Sequence, residues 1–255
     1  MTRDVFSLDG KVALVTGASR GLGAAMAAAM GAAGAAVALH SNEQPATQTA
    51  ERICRESGKR TELFTADLED RTAADALFAN AIAAFGQIDI LVNNAGIIRR
   101  KAAAQHSDDD WDAVIEVNLS NAFRLCRAMG KHLIETGRPG KIINVASLLS
   151  FQGGITVPGY AAAKGGIVQL TRALANEWAA HGINVNAIAP GYMQTDNTKA
   201  LRDDPQRNKQ ITERIPAGRW GTPEDVAGAA VFLASRASDY VHGHVLVVDG
   251  GWMGR

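Results

Sequence analysis

A chain of 255 residues is long enough for one large domain and short for two, so we expect a single catalytic domain, 1–255. Lysine plus arginine and aspartate plus glutamate number 26 each, so no net charge attracts nucleic acid or an anionic membrane. Two cysteines, no apolar stretch that spans a bilayer and no signal-peptide pattern predict a cytoplasmic protein without disulfides or a membrane partner.

Short β-branched segments alternate with longer alanine-rich segments along nearly the whole chain. This alternation is typical of βαβ units, in which helices cover both faces of a parallel sheet. We predict a Rossmann-type, doubly wound α/β fold. In such sheets ligands bind beyond the carboxyl ends of the strands. The seven predicted strands are Val12–Thr16, Ala36–Leu39, Thr61–Thr65, Ile90–Asn93, Ile142–Val145, Ile183–Ile188 and Val245–Val248.

A glycine-rich turn follows the first strand and opens a helix. Glycines allow a tight turn and let the backbone approach a diphosphate at the helix N-terminus, where free N–H groups favour anions. Such a turn can also serve only to start a helix, and its spacing departs from G-x-G-x-x-G. Its position in the first βαβ unit favours nucleotide binding. The candidate residues are Gly17, Ser19, Arg20, Gly21, Leu22 and Gly23.

Polar residues also follow four later strands. Each group alone is ordinary turn chemistry, because Asp, Asn, Ser and Pro-Gly are common in loops. Together they place polar groups along one edge of one sheet, which indicates a site. The candidates are Asp67 and Leu68 after the third strand, Asn94 and Gly96 after the fourth, Ser147 after the fifth, and Pro190, Gly191 and Thr195 after the sixth.

A basic segment, Arg99–Lys101, comes shortly after the fourth strand. Arginine forms two parallel hydrogen bonds with a carboxylate, so Arg99 and Arg100 are candidates for binding an acidic substrate. A solvated basic loop that pairs with the acidic run Asp108–Asp110 explains the same residues, and both interpretations stay open.

Tyr160 and Lys164 stand four positions apart in a helical segment and project from the same face. An ammonium beside a phenol stabilises phenolate, so we expect Lys164 to lower the pKa of Tyr160 toward neutrality. Such a phenol can exchange protons with a substrate. The spacing alone also fits two polar residues at the rim of an amphipathic helix. The predicted proximity of this helix to Ser147 favours the catalytic interpretation.

The complete set of motifs resembles the short-chain dehydrogenase/reductase family over essentially the whole chain. The TGxxxGxG turn, the NNAG segment, Ser147 with the Tyr-x-x-x-Lys pair, and the PG-x-x-x-T segment occur in the family's order. The resemblance implies a catalytic tetrad of Asn118, Ser147, Tyr160 and Lys164. In this tetrad Tyr160 transfers the proton, Ser147 holds the substrate oxygen, Lys164 binds the nicotinamide ribose, and Asn118 supports a proton relay through water.

Four further segments resemble the branch of the family that acts on sugar acids: NNAGIIRR, SFQGGITVPGY, APGYMQTDNT and RIPAGRWG. They imply a sugar-acid substrate at Ser147, Tyr160, Arg99 and Arg100. The family resemblance also implies a homotetramer. The aromatic Trp252, just past the last strand, fits a subunit interface or a cap on its own core.

The residues at the end of the second strand favour NADP over NAD as the cofactor. NAD enzymes of this class usually place an acid there for the ribose hydroxyls, whereas this chain has His40 and Ser41. Arg20 in the glycine-rich turn can meet a 2′-phosphate. Glu43 would restore NAD binding if the loop folded back.

Other functions remain open on the sequence. A short-chain reductase for another carbonyl substrate would share every motif, and a non-enzymatic nucleotide-binding protein would share the fold. A methyltransferase on a related sheet would explain the glycine-rich turn but not Tyr160 with Lys164. His242 and His244 alternate before the last strand, but no acid or cysteine cluster joins them, so no metal site is predicted.

Overall fold

Seven parallel strands form one sheet in the computed structural model, which describes residues 4–255. They are β1 (Val12–Val15), β2 (Ala36–Ser41), β3 (Thr61–Thr65), β4 (Ile90–Asn93), β5 (Gly140–Val145), β6 (Ile183–Pro190) and β7 (Val245–Val248). Their spatial order is β3-β2-β1-β4-β5-β6-β7. The predicted fold class is confirmed, and all seven strands lie where the sequence places them. Their ends differ slightly; β6, for example, continues to Pro190.

Helices cover both faces of this sheet. One face packs against helices whose buried residues include Met26, Ile53 and Leu233, and the other against helices that contribute Leu77, Leu125 and Leu174. Across the described residues 4–255 the helices are α1 (Gly21–Ala32), α2 (Thr47–Ser57), α3 (Ala73–Phe85), α4 (Asp108–Ile115), α5 (Asn121–Thr136), α6 (Pro158–Trp178), α7 (Lys199–Asp203), α8 (Pro205–Arg214) and α9 (Pro223–Ala234). A turn of π-helix, Glu116–Ser120, joins α4 to α5.

The central strands are apolar on both faces. In β1, Ala13 and Val15 belong to one core, whereas Val12 and Leu14 belong to the other. Successive side chains of a strand point to opposite faces, so a sheet covered on both sides needs continuous apolar runs. This requirement explains why short β-branched segments located the strands correctly.

The order of the strands reverses between β1 and β4, which creates a crevice at their carboxyl ends. The residues that follow these two strands are joined by hydrogen bonds. The Thr16 hydroxyl oxygen accepts from the backbone N–H groups of Asn94 and Ala95, at 3.0 Å each. The Asn94 side-chain amide donates to the carbonyl oxygens of Thr16 and Gly17 at 2.9 and 3.1 Å. The glycine-rich turn is therefore held at a fixed place in the crevice.

Longer connections lie beside this crevice. The segment between β5 and α6, the helices α7 and α8, and the last residues of the chain meet around a separate small core. Its buried members include Leu148, Ile211, Trp220 and Trp252. Within residues 4–255, no helix has the length and apolar character needed to cross a membrane.

Candidate active site

A cleft of about 490 Å³ lies at the carboxyl ends of the central strands. Its lining contains most of the residues predicted to bind the cofactor: Gly17, Ser19, Arg20, Gly21, Leu22, Asp67, Leu68, Asn94, Gly96, Tyr160, Lys164 and Thr195. Pro190 and Gly191 line the neighbouring cavity instead. Gly23 is buried beneath the turn.

The start of α1 suits the diphosphate of a dinucleotide. No side chain caps this helix, so its first N–H groups stay open to an anion. Gly17 has a φ of +64°, and a Cβ atom on Gly23 would lie 2.1 Å from the Gly17 carbonyl oxygen. Only glycine at position 23 lets the turn close this tightly. The residues of this cleft therefore fit a nicotinamide dinucleotide.

His40 in β2 lines the cofactor cleft and makes contacts that the sequence did not predict. Its ring is buried; Nδ1 accepts from the Gly17 N–H at 3.3 Å, and Nε2 donates to the Ala66 carbonyl oxygen at 3.0 Å. Burial lowers the pKa of His40, so the neutral ring is favoured and both nitrogens are engaged. The only sequence signal for this tie is a histidine in the predicted loop after the second strand, where NAD enzymes of this class usually place an acid.

Arg20 reaches across the cleft in this structure. Its guanidinium Nε lies 3.3 Å from a carboxylate oxygen of Asp196, in the loop that follows β6, and both side chains are exposed. Glu43, the acid that would restore NAD binding, is exposed and is not part of the cleft lining.

The first turns of α6 place Tyr160 and Lys164, the predicted catalytic pair, where the cofactor cleft meets a neighbouring cavity. Tyr160 lines both the cofactor cleft and the neighbouring cavity, and Lys164 lines the cleft alone. The Lys164 side chain is almost fully buried, and its Nζ donates to the Val145 carbonyl oxygen at 2.6 Å. The same Nζ lies 5.6 Å from the centre of the Tyr160 ring. Burial lowers the pKa of Lys164 to about 8.

The expected effect of Lys164 on Tyr160 is wrong for this structure. Burial raises the pKa of Tyr160 above its usual value. The groups that oppose this rise are the Ser147 hydroxyl and the positive charge of Arg100, not Lys164. The Lys164 ammonium instead donates to the Val145 carbonyl oxygen. Helical spacing predicted the shared face correctly but not this competing acceptor.

Asn118 lies in the π-helical turn, and its side-chain amide forms hydrogen bonds with both backbone groups of Ile97. Its Oδ1 accepts from the Ile97 N–H at 2.9 Å, and its Nδ2 donates to the Ile97 carbonyl oxygen at 2.8 Å. The side chain therefore fixes the loop after β4 beside Gly96 and Lys164. Its predicted role in a water relay stays a prediction.

A second cavity, of about 640 Å³, adjoins the cleft at Tyr160, and we call it the substrate cavity. Ser147, Tyr192 and Trp252 are among its lining residues. Its charged lining consists of three arginines from two separate segments and includes no aspartate or glutamate. They are Arg100 after β4, and Arg207 and Arg214 on α8.

The structure separates the two arginines of the basic segment. Arg99 pairs with Glu69 at 3.4 Å and with Asp110 at 3.7 Å, outside the substrate cavity. This contact matches the loop interpretation. Arg100 lines the cavity and donates to the Asn197 carbonyl oxygen at 3.3 Å.

Arg207 and Arg214 were not predicted as site residues. Arg214 opens the segment RIPAGRWG, which marked the sugar-acid branch by resemblance, but no local pattern showed that its side chain faces a cavity. Among residues 4–255, no group of three or more His, Cys, Asp or Glu side chains is arranged to hold a metal ion.

Comparisons with known proteins agree with this arrangement. A family model described as enoyl-(acyl carrier protein) reductase matches residues 17–253. The chain belongs to the short-chain dehydrogenase/reductase family, and it is an NAD(P)-dependent oxidoreductase that acts on CH–OH groups.

The similar proteins are named for sugar-acid chemistry. 2-Dehydro-3-deoxy-D-gluconate 5-dehydrogenase of Escherichia coli (strain K12) is 53% identical over 255 residues, which is 100% of both chains. A crystal structure from Agrobacterium tumefaciens with bound NADP, provisionally named 2-deoxy-D-gluconate 3-dehydrogenase, is 55% identical. It has a TM-score of 0.94, with 99% of this chain and 100% of that chain covered.

A third similar protein is a provisionally named NAD(P)-dependent gluconate 5-dehydrogenase from Beutenbergia cavernae. Its crystal structure, with NADP at low occupancy, is 49% identical with a TM-score of 0.94, and 99% of this chain and 100% of that chain are covered.

Proposed function

We propose that this protein is a sugar-acid dehydrogenase of the 2-dehydro-3-deoxy-D-gluconate 5-dehydrogenase or gluconate 5-dehydrogenase type. The observation that carries this proposal is the charge of the substrate cavity, which is lined by three arginines and no carboxylates next to Tyr160 and Ser147. Such a lining favours an anionic substrate and penalises a cationic one. The names of the similar proteins support the same substrate class.

We propose catalytic roles for five side chains. Ser147 and Tyr160 both line the substrate cavity, and the Ser147 hydroxyl opposes the rise in the pKa of Tyr160, so together these hydroxyls hold the oxygen of the reacting carbon. Tyr160 gives or takes the proton at that oxygen, and Arg100 contacts the substrate close by and favours the phenolate. When bound, nicotinamide supplies or accepts the hydride. Lys164 and the loop held by Asn118 orient the nicotinamide ribose.

NADP is the preferred cofactor in this proposal. His40 places a neutral ring rather than a carboxylate at the end of β2, which removes the repulsion that a 2′-phosphate would meet there. Arg20 lies at the rim of the same cleft. The solved structures of two similar proteins contain NADP.

A panel of substrates and cofactors tests the proposed function. The purified protein is given D-gluconate, 2-dehydro-3-deoxy-D-gluconate and their uncharged alditol counterparts, each with NAD and with NADP. Nicotinamide absorbance at steady state gives kcat/KM for each pair. We expect the acids to exceed the alditols with either cofactor. Turnover of uncharged alcohols alone would instead favour a short-chain reductase with another carbonyl substrate.

We further propose that the chain acts as one cytoplasmic catalytic domain within a homotetramer. Trp252 does not support an interface, because it is buried in its own chain with Trp220 and Ile215. Trp111 on α4 and Phe123 on α5 remain substantially exposed, which suits a contact between copies. Light scattering at micromolar concentration should give a mass near four chains, and a monomeric mass would contradict the tetramer.

A further inference from the structure

The three arginines of the substrate cavity differ in what they already contact. The Arg214 guanidinium lies 4.0 Å from the centre of the Trp252 ring, in a cation–π contact. Arg100 donates to the Asn197 carbonyl oxygen. The exposed Arg207 donates one hydrogen bond, to Gln210 on its own helix at 3.1 Å, and forms no ion pair with any residue between 4 and 255. Since a guanidinium has five N–H donors, most of the N–H donors of Arg207 remain available to a ligand.

Arg207 is presented by a helix that is fixed at both ends. The Asp204 carboxylate caps the start of α8 by accepting from the N–H groups of Gln206 and Arg207 at 2.9 and 3.1 Å. At the other end, the Arg255 guanidinium donates to the last carbonyl groups of α8. A side chain on such a support binds a ligand group at a defined place.

Arg100 and Arg207 line the same cavity from different segments, the loop after β4 and α8. The positive charge of Arg100 also acts on the Tyr160 hydroxyl. In an extended sugar acid that reacts at C5, four carbon–carbon bonds of about 1.5 Å place the carboxylate roughly 5 Å from the reacting carbon. A substrate that reacts at C3 would hold its carboxylate at roughly half that separation, close to Arg100.

We propose that Arg207 binds the substrate carboxylate and thereby selects sugar acids whose acid group is remote from the reacting carbon. This inference rests on the proposed function and adds to it the residue that binds the acid group of the substrate. Two parallel hydrogen bonds from one guanidinium to one carboxylate supply both charge and orientation. Arg100 then acts at the reacting oxygen, and Arg214 supports the cavity wall at Trp252.

The test compares Arg207→Lys and Arg207→Gln with a charge-matched control on the same helix. Lys209→Gln removes an exposed charge from α8 that is paired with Glu213 and does not line the cavity. Steady-state kinetics are measured with D-gluconate and with D-glucitol, its uncharged counterpart. We expect kcat/KM for D-gluconate to fall about 10-fold to 100-fold in both Arg207 variants, mainly through KM. The values for D-glucitol, and both values in Lys209→Gln, should stay near the wild type.

Two kinetic outcomes would overturn the inference. Equal losses on D-gluconate and D-glucitol would show that Arg207 acts through the fold. A loss of the acid preference in Arg100→Lys, with Arg207→Lys unaffected, would place the carboxylate at Arg100 and the reacting carbon nearer to it.

Calorimetry separates this inference from the proposed function. D-Gluconate is titrated into the NADPH complex of the wild type and of Arg207→Gln, where no oxidation can occur. Binding that needs Arg207, without turnover of any sugar acid, would support the anion site and refute the dehydrogenase proposal. Sugar-acid turnover together with binding that is unchanged in Arg207→Gln would support the dehydrogenase proposal and refute the role of Arg207. If the protein neither binds D-gluconate nor turns over any sugar acid, both proposals are wrong.

Discussion

The cofactor cleft and the substrate cavity meet at Tyr160 but are built in different ways. Residues directly after the strands form the cleft, and the His40 side chain there joins two backbone groups, the Gly17 N–H and the Ala66 carbonyl oxygen. The cavity is formed by longer connections and by α8. The cleft contains charges of both signs, including Arg20 and Asp196, whereas the cavity contains positive charges only.

This difference separates chemistry from selectivity. The sheet fixes the groups that orient a dinucleotide and move a proton, so a change there should affect every substrate alike. The connections fix the charge and shape of the cavity, so a change there should affect one substrate more than another. Each variant below tests this division, and Arg100 belongs with the chemistry although it lines the cavity, because its charge acts on Tyr160.

Tyr160→Phe should cause the largest loss. The variant removes only the hydroxyl that transfers the proton, so turnover should fall on the order of 10²–10⁴-fold for every substrate. Cofactor affinity and melting temperature should stay close to those of the wild type, as measured by NADPH fluorescence and thermal unfolding. Near-normal turnover would remove Tyr160 from the proposed mechanism.

Arg100→Gln should change the pH dependence rather than the substrate preference. The Arg100 charge holds the pKa of Tyr160 lower than burial alone would, so its removal should raise that pKa further. The rising limb of kcat/KM for alcohol oxidation should therefore move to higher pH for acidic and uncharged substrates alike. Arg99→Gln is the matched control, because Arg99 pairs with Glu69 and Asp110 outside the cavity. An unchanged profile in Arg100→Gln would contradict this role.

Lys164 should make cofactor binding depend on pH. Burial lowers the pKa of Lys164 to about 8, so the side chain loses its positive charge near that pH instead of above 10. NADPH is an anion, and its affinity should fall several-fold as the pH rises through 8. Fluorescence titrations at several pH values should show this fall in the wild type and a flat response in Lys164→Met. The same slope in both proteins would assign the ionisation to another group.

Arg20→Ala should give the smallest effect, a narrower gap between NADP and NAD affinity. Arg20 is exposed and already faces Asp196, and exposed ion pairs of this kind contribute at most about 1 kcal/mol. Asp196→Asn releases Arg20 from this pair and should widen the gap slightly. Equal losses of NADP and NAD affinity in Arg20→Ala would show that Arg20 does not distinguish the 2′-phosphate.

The sequence predicted the elements whose pattern is enforced by burial. Strands such as β1 and β4 are apolar on both faces, and this constraint leaves a continuous run in the sequence. Ser147, Tyr160 and Lys164 were predicted together because their motif and its position along the sheet agreed, and the structure places all three around the adjoining cleft and cavity.

Contacts set by neighbouring loops left no such pattern. Arg207 faces the cavity because α8 is fixed by Asp204 and Arg255, and neither the periodicity nor the composition of the helix records that orientation. The pKa of Tyr160 likewise depends on Ser147 and Arg100, which lie outside the Tyr-x-x-x-Lys motif.

The position of Asn118 depends on the number of residues in the π-helical turn between α4 and α5. Such a turn contains one residue more than an α-helical turn, and each residue of an α-helix rotates the chain by about 100°. Deleting one residue from Glu116–Ser120 would allow one continuous α-helix of ordinary stability. It would also turn α4 and α5 out of phase, so that Asn118 could not meet both backbone groups of Ile97. Here the spacing of the chain, as much as its chemistry, keeps the loop after β4 in place at the cleft.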